Sequence, residues 1–253
     1  MKIAPLRLIV TGAWGRMGTR VAELARKDPR FSIVAGVVKG QAASGSGSMY
    51  VLASDLPREL KRADVVIDFS APEASVGFAE MAAQARKAIV IGTTGFTKAQ
   101  SDKIRSLGRA APIFLSPNLS PGVNLMFHLS ALAARVLKDY DASISEIHHP
   151  KKKDAPSGTA LRLAEAVRQG RQSDEAVPIV SQRIGDVVGE HTLTFAGPTE
   201  RLELTHRAHS RDIFAKGALH AASWVARKKP RIYDMLDLMG LNGGPMPGLR
   251  PPR

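Results

Sequence analysis

Short runs of β-branched residues alternate with longer helical patterns through the first half of the chain, and this alternation restricts its fold more than any other feature. Strand patterns lie at residues 6–11, 32–38, 65–69, 88–91 and 113–115. Helical patterns lie between them at residues 15–27, 73–86 and 98–109, the last of which opens with a capping box from Thr97 to Gln100. Alternation of this kind predicts βαβ units, and therefore an α/β fold with a Rossmann-like parallel sheet.

The pattern changes from Asp141 onward. Strand patterns at residues 142–149, 187–196 and 201–208, with helical patterns at 125–137 and 217–226, predict a second α+β domain with a mixed open sheet. The length of 253 residues has room for two modest domains. We predict a dinucleotide-binding domain at residues 1–118 and 218–253, and a substrate-binding and oligomerisation domain at 119–217. Residues 40–48, which are rich in Gly and Ser, are interpreted as a slack loop rather than a lid over a ligand.

Composition excludes several classes of chemistry. The chain has no cysteine, which rules out disulfides, thiolate metal ligands and a cysteine nucleophile. It has no zinc-ligand spacing of the H-E-x-x-H type, no G-x-S-x-G elbow and no Walker lysine, so no metal site is predicted. No apolar run approaches the roughly 20 residues of a membrane span and no secretory signal pattern opens the sequence, so we expect a soluble, cytoplasmic protein. The net charge of +13 favours anionic partners.

A glycine turn lies between the first predicted strand and the first predicted helix. It reads Gly12-Ala13-Trp14-Gly15-Arg16-Met17-Gly18. Its backbone N–H groups and the helix dipole would bind a pyrophosphate. Trp14 stands where the usual dinucleotide fingerprint has its second glycine, so a tight turn with close helix packing remains the alternative.

The second strand ends in Lys39, where NAD-binding proteins of this type place an acidic residue. A lysine there can pair with the 2′-phosphate of NADP, so NADPH is favoured over NADH; the alternative is a solvated loop lysine. Two further turns, Gly92-Thr93-Thr94-Gly95 and Ser116-Pro117-Asn118-Leu119, follow the fourth and fifth strands. They belong at the ligand-binding edge of the sheet, although ordinary turns would also explain them.

Residues 146–160 hold the densest group of reactive side chains. Period-two alternation places Ile144, Glu146 and His148 on one strand face and His149 on the other, so the two histidines have different roles. Lysines follow at 151–153. A helix begins near Gly158 and Thr159, whose N–H groups would donate hydrogen bonds to a carboxylate. A basic solvated loop and a simple capped helix are the alternatives. The other histidines are interpreted as mainly structural: His128, His191, His206, His209 and His220.

The glycine turn, the segments 92–96 and 118–124, and the signature H-H-x-x-K-x-D-A-P-S-G-T beginning at His148 together resemble the 4-hydroxy-tetrahydrodipicolinate reductase family. The resemblance implies reduction of a cyclic dicarboxylate with NADH or NADPH in lysine and diaminopimelate biosynthesis, by a homotetramer. It implies that His148 donates the proton and that Lys152 is the second catalytic residue. It also assigns substrate carboxylates to His149, Gly158 and Thr159, and the cofactor to residues 12–17, 92–94 and 116–119.

Two other functions remain open from the sequence. One is a related two-domain dehydrogenase that acts on another dicarboxylate derived from an amino acid. The other is a nucleic-acid-binding protein, suggested by the basic segments 151–153 and 227–231. Only 5% of the residues are aromatic and no reader motif is present, so we expect a small-molecule partner and neither nucleic acid nor membrane.

Overall fold

The computed structural model describes residues 4–40 and 49–242, so the loop predicted at 40–48 lies, apart from Gly40, outside the described residues. The chain divides into two compact units. The first unit runs to Leu119 and resumes at Phe214, and the second is Ser120–Ile213. No helix in the described part of the chain is long and apolar enough to cross a membrane.

The first unit is built on a parallel sheet of seven strands. Its strands are β1 (Leu6–Thr11), β2 (Phe31–Val38), β3 (Tyr50–Leu52), β4 (Val65–Asp68), β5 (Ala88–Ile91), β6 (Pro112–Leu115) and, late in the chain, β11 (Arg231–Tyr233). Their order across the sheet is β11-β6-β5-β4-β1-β2-β3, and every pairing is parallel. The predicted Rossmann-like sheet is therefore confirmed.

Helices cover both faces of this sheet. They are α1 (Arg16–Arg26), α2 (Leu56–Leu60), α3 (Pro72–Gln84), α4 (Lys98–Leu107), most of α7 (Asp212–Val225) and α8 (Met235–Leu238). Alternate strand residues enter two separate cores: Leu8 and Val10 pack with α1 and α7, whereas Ile9 packs with α2, α3 and α4. Because both faces are buried, the central strands are mainly apolar. The predicted capping box of α4 is present, with the Gln100 N–H donating to Thr97 Oγ1 at 3.2 Å.

The second unit is a mixed four-stranded sheet with two helices against one face. Its strands are β7 (Asp141–His148), β8 (Ile179–Arg183), β9 (Glu190–Ala196) and β10 (Arg201–Arg207), in the order β10-β9-β7-β8. Only the β7–β8 pairing is parallel. Helices α5 (Pro121–Val136) and α6 (Gly158–Arg171) share a core with Ile144, Leu193 and Phe195. The predicted mixed sheet is confirmed.

Several boundaries differ from the sequence-based expectations. Helix α5 begins four residues before the predicted position, because the Ser120 side chain caps it, accepting from the Val123 N–H at 3.3 Å, and Pro121 fits the first helical position. Helix α7 begins at Asp212 rather than at 217, with the Asp212 N–H donating to Ser210 Oγ at 3.1 Å. The short elements β3, α2, β8, β11 and α8 were not predicted, since three to five residues carry little periodicity.

Candidate active site

The glycine turn between β1 and α1 has a backbone that only glycine tolerates. Gly12 has a φ of +69°, and a Cβ atom there would lie 2.2 Å from the carbonyl oxygen of Phe69. A Cβ atom on Gly18 would lie 2.2 Å from the carbonyl oxygen of Gly12. Gly15 is the N-cap of α1, so no capping side chain from it covers the first-turn N–H groups. This close, uncapped turn fits the pyrophosphate of a dinucleotide cofactor.

A cavity of about 610 Å³ opens beside the turn, within the range of about 300 to 1,000 Å³ that small-molecule sites occupy. It is lined by the turn, by the end of β2 and by the segment after β4. Lys39 and Trp14 both line it and both are exposed. The Trp14 ring lies 5.8 Å from that of Tyr50, between centroids. The cavity therefore combines an aromatic wall with a cation that follows β2 directly.

The remaining residues predicted for the cofactor differ in what they can present to it. Ala13 is buried, Met17 packs partly against the core and Arg16 is exposed. Within 92–94, Thr93 is buried and Thr94 is exposed.

The segment 116–119 follows β6 and is largely closed on itself. Ser116 Oγ donates to the carbonyl oxygen of Asn118 at 2.7 Å. Leu119 is a core side chain, and a Cβ atom on Gly217 would lie 1.8 Å from its carbonyl oxygen. Leu119 can therefore face a ligand only through its backbone.

In the second unit, strand β7 carries the predicted alternation. Ile144, Glu146 and His148 are buried, whereas Ile147 and His149 are half-buried. The predicted alternation is confirmed along β7, which ends at His148; His149 follows the strand, and its surroundings differ from those of His148. Glu146 and His148 thus share the inner face of the strand, two residues apart.

Glu146 is a fully buried carboxylate with several donors. Its Oε1 accepts from Arg183 Nη2 at 2.9 Å and from the Ser157 N–H at 3.2 Å, and its Oε2 contacts His148 Nδ1. Burial alone would raise the pKa of Glu146, but hydrogen bonds from Ser181 and Arg183, with the nearby His148, lower it to about 2. Glu146 is therefore an ionised partner held against one nitrogen of His148.

His148 has one ring nitrogen committed and one edge open. Because Nδ1 faces Glu146, the nitrogen that Glu146 leaves unoccupied is Nε2. Gly189 provides space at that edge, since a Cβ atom there would come within 3.0 Å of Nε2. Burial lowers the pKa of His148, and the attraction of Glu146 offsets this only in part.

His191 joins this cluster, although its position in the sequence gave it no predicted role in the site. Strand pairing sets His191 of β9 opposite Glu146 of β7, and its ring lies 5.1 Å from that of His148, edge to face. Its Nε2 is 3.0 Å from Ser157 Oγ, which also caps α6 by accepting from the Ala160 N–H. Burial, followed by repulsion from His148, lowers the pKa of His191 to about 4.

Glu146, His148 and His191 offer ligand atoms that all lie within 4.8 Å of one another, so the described residues include one group that could hold a metal ion. The oxygens of Glu146 are already engaged by the Arg183 guanidinium, the Ser157 N–H and His148. A guanidinium on the carboxylate opposes a second cation there. The arrangement suits proton transfer better than metal binding.

Lys152 and the start of α6 converge on a carboxylate of the chain itself. Lys152 Nζ lies 2.8 Å from both carboxylate oxygens of Asp154. The pKa of Asp154 is lowered mainly by its hydrogen bond with Lys152 and additionally by the backbone N–H of Gly158. A Cβ atom on Gly158 would meet nothing within 4 Å, so space is open at the helix start. Thr159 follows in the first turn of α6. These donors form a carboxylate-binding group.

Arg211 stands beside His149, with Nη2 and the ring Nε2 3.1 Å apart. Arg211, Arg183 and Glu146 were not predicted as site residues. Glu146 shared a strand face with His148, which was the available signal. No sequence signal pointed to Arg211, because a connection of 62 positions separates it from His149.

The sequence matches known proteins along almost its whole length. Residues 6–119 match dihydrodipicolinate reductase, N-terminus, and residues 122–239 match dihydrodipicolinate reductase, C-terminus. The 4-hydroxy-tetrahydrodipicolinate reductase of Aquifex aeolicus (strain VF5) is 48% identical over 264 residues, which cover 93% of this chain and 99% of that protein. The protein of the same name from Anaeromyxobacter dehalogenans (strain 2CP-C) is 45% identical over 267 residues, covering 94% and 99%.

A solved structure, the dipicolinate-bound dihydrodipicolinate reductase from Paenisporosarcina sp. TG-14, has a similar fold. It is 24% identical to this chain, and the superposition covers 92% of this chain and 98% of the other, with a TM-score of 0.79.

Proposed function

The chain belongs to the dihydrodipicolinate reductase family, and from that premise we propose how its residues reduce 4-hydroxy-tetrahydrodipicolinate to tetrahydrodipicolinate in lysine and diaminopimelate biosynthesis. The substrate gains a hydride and a proton and loses its 4-hydroxyl as water. A reduced nicotinamide cofactor supplies the hydride, to C4. The first unit holds the cofactor and the second unit holds the substrate.

The contact of His148 with the ionised Glu146 is the observation that supports this reaction best. Glu146 holds Nδ1–H, so His148 delivers its proton from Nε2. The carboxylate stabilises the imidazolium before the transfer. Burial lowers the pKa of His148, so its imidazolium releases a proton more readily than that of a solvated histidine, while a smaller fraction of the enzyme carries that proton near neutral pH.

The donors around Asp154 support binding of a dicarboxylate. Lys152 and the Gly158 N–H already satisfy one carboxylate, and we propose that a substrate carboxylate replaces that of Asp154 at these groups. Thr159 adds a hydroxyl donor in the same helical turn. His149, with the Arg211 guanidinium beside it, takes part in holding the carboxylates. Lys152 also stabilises the charge that develops during the reduction.

Lys39 supports a preference for NADPH. Lys39 lines the cavity beside the glycine turn and follows β2, the strand whose end meets the adenosine ribose in dinucleotide-binding folds. An ammonium group there attracts the 2′-phosphate of NADPH, whereas NADH offers only hydroxyls. Residues 12–17, 92–94 and 116–119 provide the rest of the cofactor site.

Exposed apolar side chains in the second unit support a homotetramer. Val136 on α5 is 71% exposed and Val180 on β8 is 56% exposed. Exposed apolar side chains such as these can pack against another subunit. Sedimentation equilibrium at assay concentrations measures the oligomer directly, and a monomer would contradict this part of the proposal.

The deciding experiment is cofactor oxidation with freshly generated 4-hydroxy-tetrahydrodipicolinate, run in parallel with NADH and NADPH. We expect oxidation that depends on the substrate, with a higher kcat/KM for NADPH. Parallel reactions with other dicarboxylates derived from amino acids test for a related dehydrogenase. Absence of oxidation with both cofactors, in the presence of the reductase substrate, would refute the proposed function.

A further inference from the structure

A buried carboxylate in the first unit has no part in the mechanism described above. Asp68 is the last residue of β4, and its side chain is completely buried. Two hydroxyl groups donate to Oδ1, from Thr11 at 2.5 Å and Ser70 at 2.6 Å. Two more donate to Oδ2, from Ser75 at 2.5 Å and Thr93 at 2.7 Å. A carboxylate has about four acceptor positions, so these four hydroxyls fill them all.

The four donors come from different parts of the cofactor edge of the sheet. Thr11 ends β1 and immediately precedes the glycine turn, and strand pairing sets it opposite Asp68. Thr93 belongs to the turn that follows β5. Ser70 lies on the segment between β4 and α3, and Ser75 lies near the start of α3. One carboxylate therefore ties together the starts of both predicted cofactor turns.

The backbone around Asp68 reinforces these ties. The Gly92 N–H donates to the Asp68 carbonyl oxygen at 2.9 Å, and the Phe69 N–H donates to the Thr11 carbonyl oxygen at 3.2 Å. Gly12 packs so closely on the Phe69 carbonyl that no Cβ atom fits between them. A shift of the Asp68 side chain would consequently move both turns, because neither has space to adjust independently.

The hydroxyl of Thr93 is already committed. It donates its single proton to Asp68 and accepts from the Ser70 N–H at 2.9 Å. Its value to a cofactor therefore lies in where it places the backbone of 92–94, and Asp68 sets that place.

We propose that Asp68 is a positioning residue for the nicotinamide cofactor: its carboxylate, through four hydroxyls, holds the glycine turn and the 92–94 turn in the geometry that binds NADPH. This rests on the proposed cofactor site. A buried carboxylate is strongly destabilising unless hydrogen-bond donors occupy its acceptor positions. The four hydroxyls therefore have one arrangement that satisfies Asp68 fully.

The test compares NADPH affinity, by isothermal titration calorimetry, in matched variants of the full chain. Thr11→Val removes one hydroxyl with little change of shape, and Thr11→Ser keeps the hydroxyl. Asp68→Asn keeps an acceptor for two of the hydroxyls but sets an NH2 donor against the other two. Ile104→Ala empties a core position on α4 in the same unit, away from the cluster, and controls for lost stability.

We expect Thr11→Val and Asp68→Asn to raise the Kd for NADPH about tenfold, the loss typical of a hydrogen bond to a charged group. Thr11→Ser and Ile104→Ala should stay within about twofold of the parent chain, and the KM for the dicarboxylate should not change in any variant. A purely structural role would lower the melting temperature of Thr11→Val, as in Ile104→Ala, without changing its Kd.

The proposal is overturned if Thr11→Val binds NADPH as tightly as Thr11→Ser does, and this pair decides the question even if Asp68→Asn does not fold. If the unaltered chain binds neither NADPH nor NADH, the proposed function itself fails, and the role of Asp68 fails with it.

Discussion

Acidification should destabilise this protein through His191, and replacing that single histidine should remove much of the effect. His191 is 4% exposed and lies against His148, so protonation would place a second positive charge in a closed cluster. The buried surroundings are the main reason that its pKa falls to about 4. In the unfolded chain the same imidazole titrates near 6.5.

Proton linkage gives the sign and the size of this change in the free energy of unfolding. The unfolded chain binds a proton at His191 at higher pH than the folded chain does, so stability is lost as the pH falls from about 6.5 to about 4. A difference of about 2.5 pKa units, at about 1.4 kcal/mol per unit, gives about 3 kcal/mol of lost stability between pH 7.5 and pH 4. Glu146 titrates mainly below this window, and its contribution cancels between variants that both retain it.

The assay is urea unfolding followed by far-ultraviolet circular dichroism, on the parent chain and on His191→Gln, at about pH 7.5 and about pH 4. Both tryptophans, Trp14 and Trp224, lie in the first unit, so circular dichroism is the better probe of the second unit. His220→Gln is the matched control, because this exposed histidine on α7 lies in the other unit.

We expect His191→Gln to be less stable than the parent chain near neutral pH, because it alters the contact with Ser157. It should nevertheless lose about 3 kcal/mol less than the parent chain on acidification. His220→Gln should lose as much as the parent chain. Equal losses in the parent chain and His191→Gln would show that burial of His191 does not control acid stability.

Three further predictions concern variants in the proposed cofactor and substrate sites. His148→Gln should lower kcat at least about 100-fold while the Kd for NADPH stays within about twofold; unchanged turnover would refute its role as proton donor. Lys39→Glu should raise the KM for NADPH about tenfold and spare NADH, and equal effects on both would exclude contact with a 2′-phosphate. Gly12→Ala should abolish NADPH binding, because its Cβ would collide with the carbonyl oxygen of Phe69. The control is Gly77→Ala, whose Cβ would meet nothing within 4 Å and which should stabilise α3 by up to about 1 kcal/mol. Tight NADPH binding by Gly12→Ala would contradict the geometry of the turn.

The longer elements could be predicted because local and tertiary preferences agree in them. Strand β1 was predicted with its observed limits, since a run bounded by Pro5 and Gly12 has little freedom to extend. The start of α6 was predicted because Ser157 is a strong N-cap and its helix has a regular apolar face. Strand β8 was missed because its five residues alternate between half-buried and exposed positions at an edge of the sheet.

The sequence could predict which site residues are neighbours within a strand, but not which are neighbours across strands. Alternation within β7 correctly placed Glu146 and His148 on the same buried face. The neighbours of His148 depend instead on register between strands: His191 comes opposite Glu146 only through the antiparallel pairing of β9 with β7. Arg183 reaches Glu146 from the end of β8, 37 positions away. Register is set by the packing of the whole sheet, so neither contact has a local sequence signal.

Buried acids provide a signal that could have connected these elements. In the described part of the chain, the buried carboxylates are Glu59, Asp68 and Glu146. Each must find donors, because an unpaired buried charge costs several kcal/mol. Glu59 finds them locally, in Arg58 and Arg62, which are largely exposed. Asp68 ends an apolar strand and Glu146 lies on the buried face of β7, and neither has an arginine or lysine within four positions, so their donors had to come from other elements. An acid of this kind therefore indicates a point where separate segments converge, and in this protein both such points lie beside a proposed binding site.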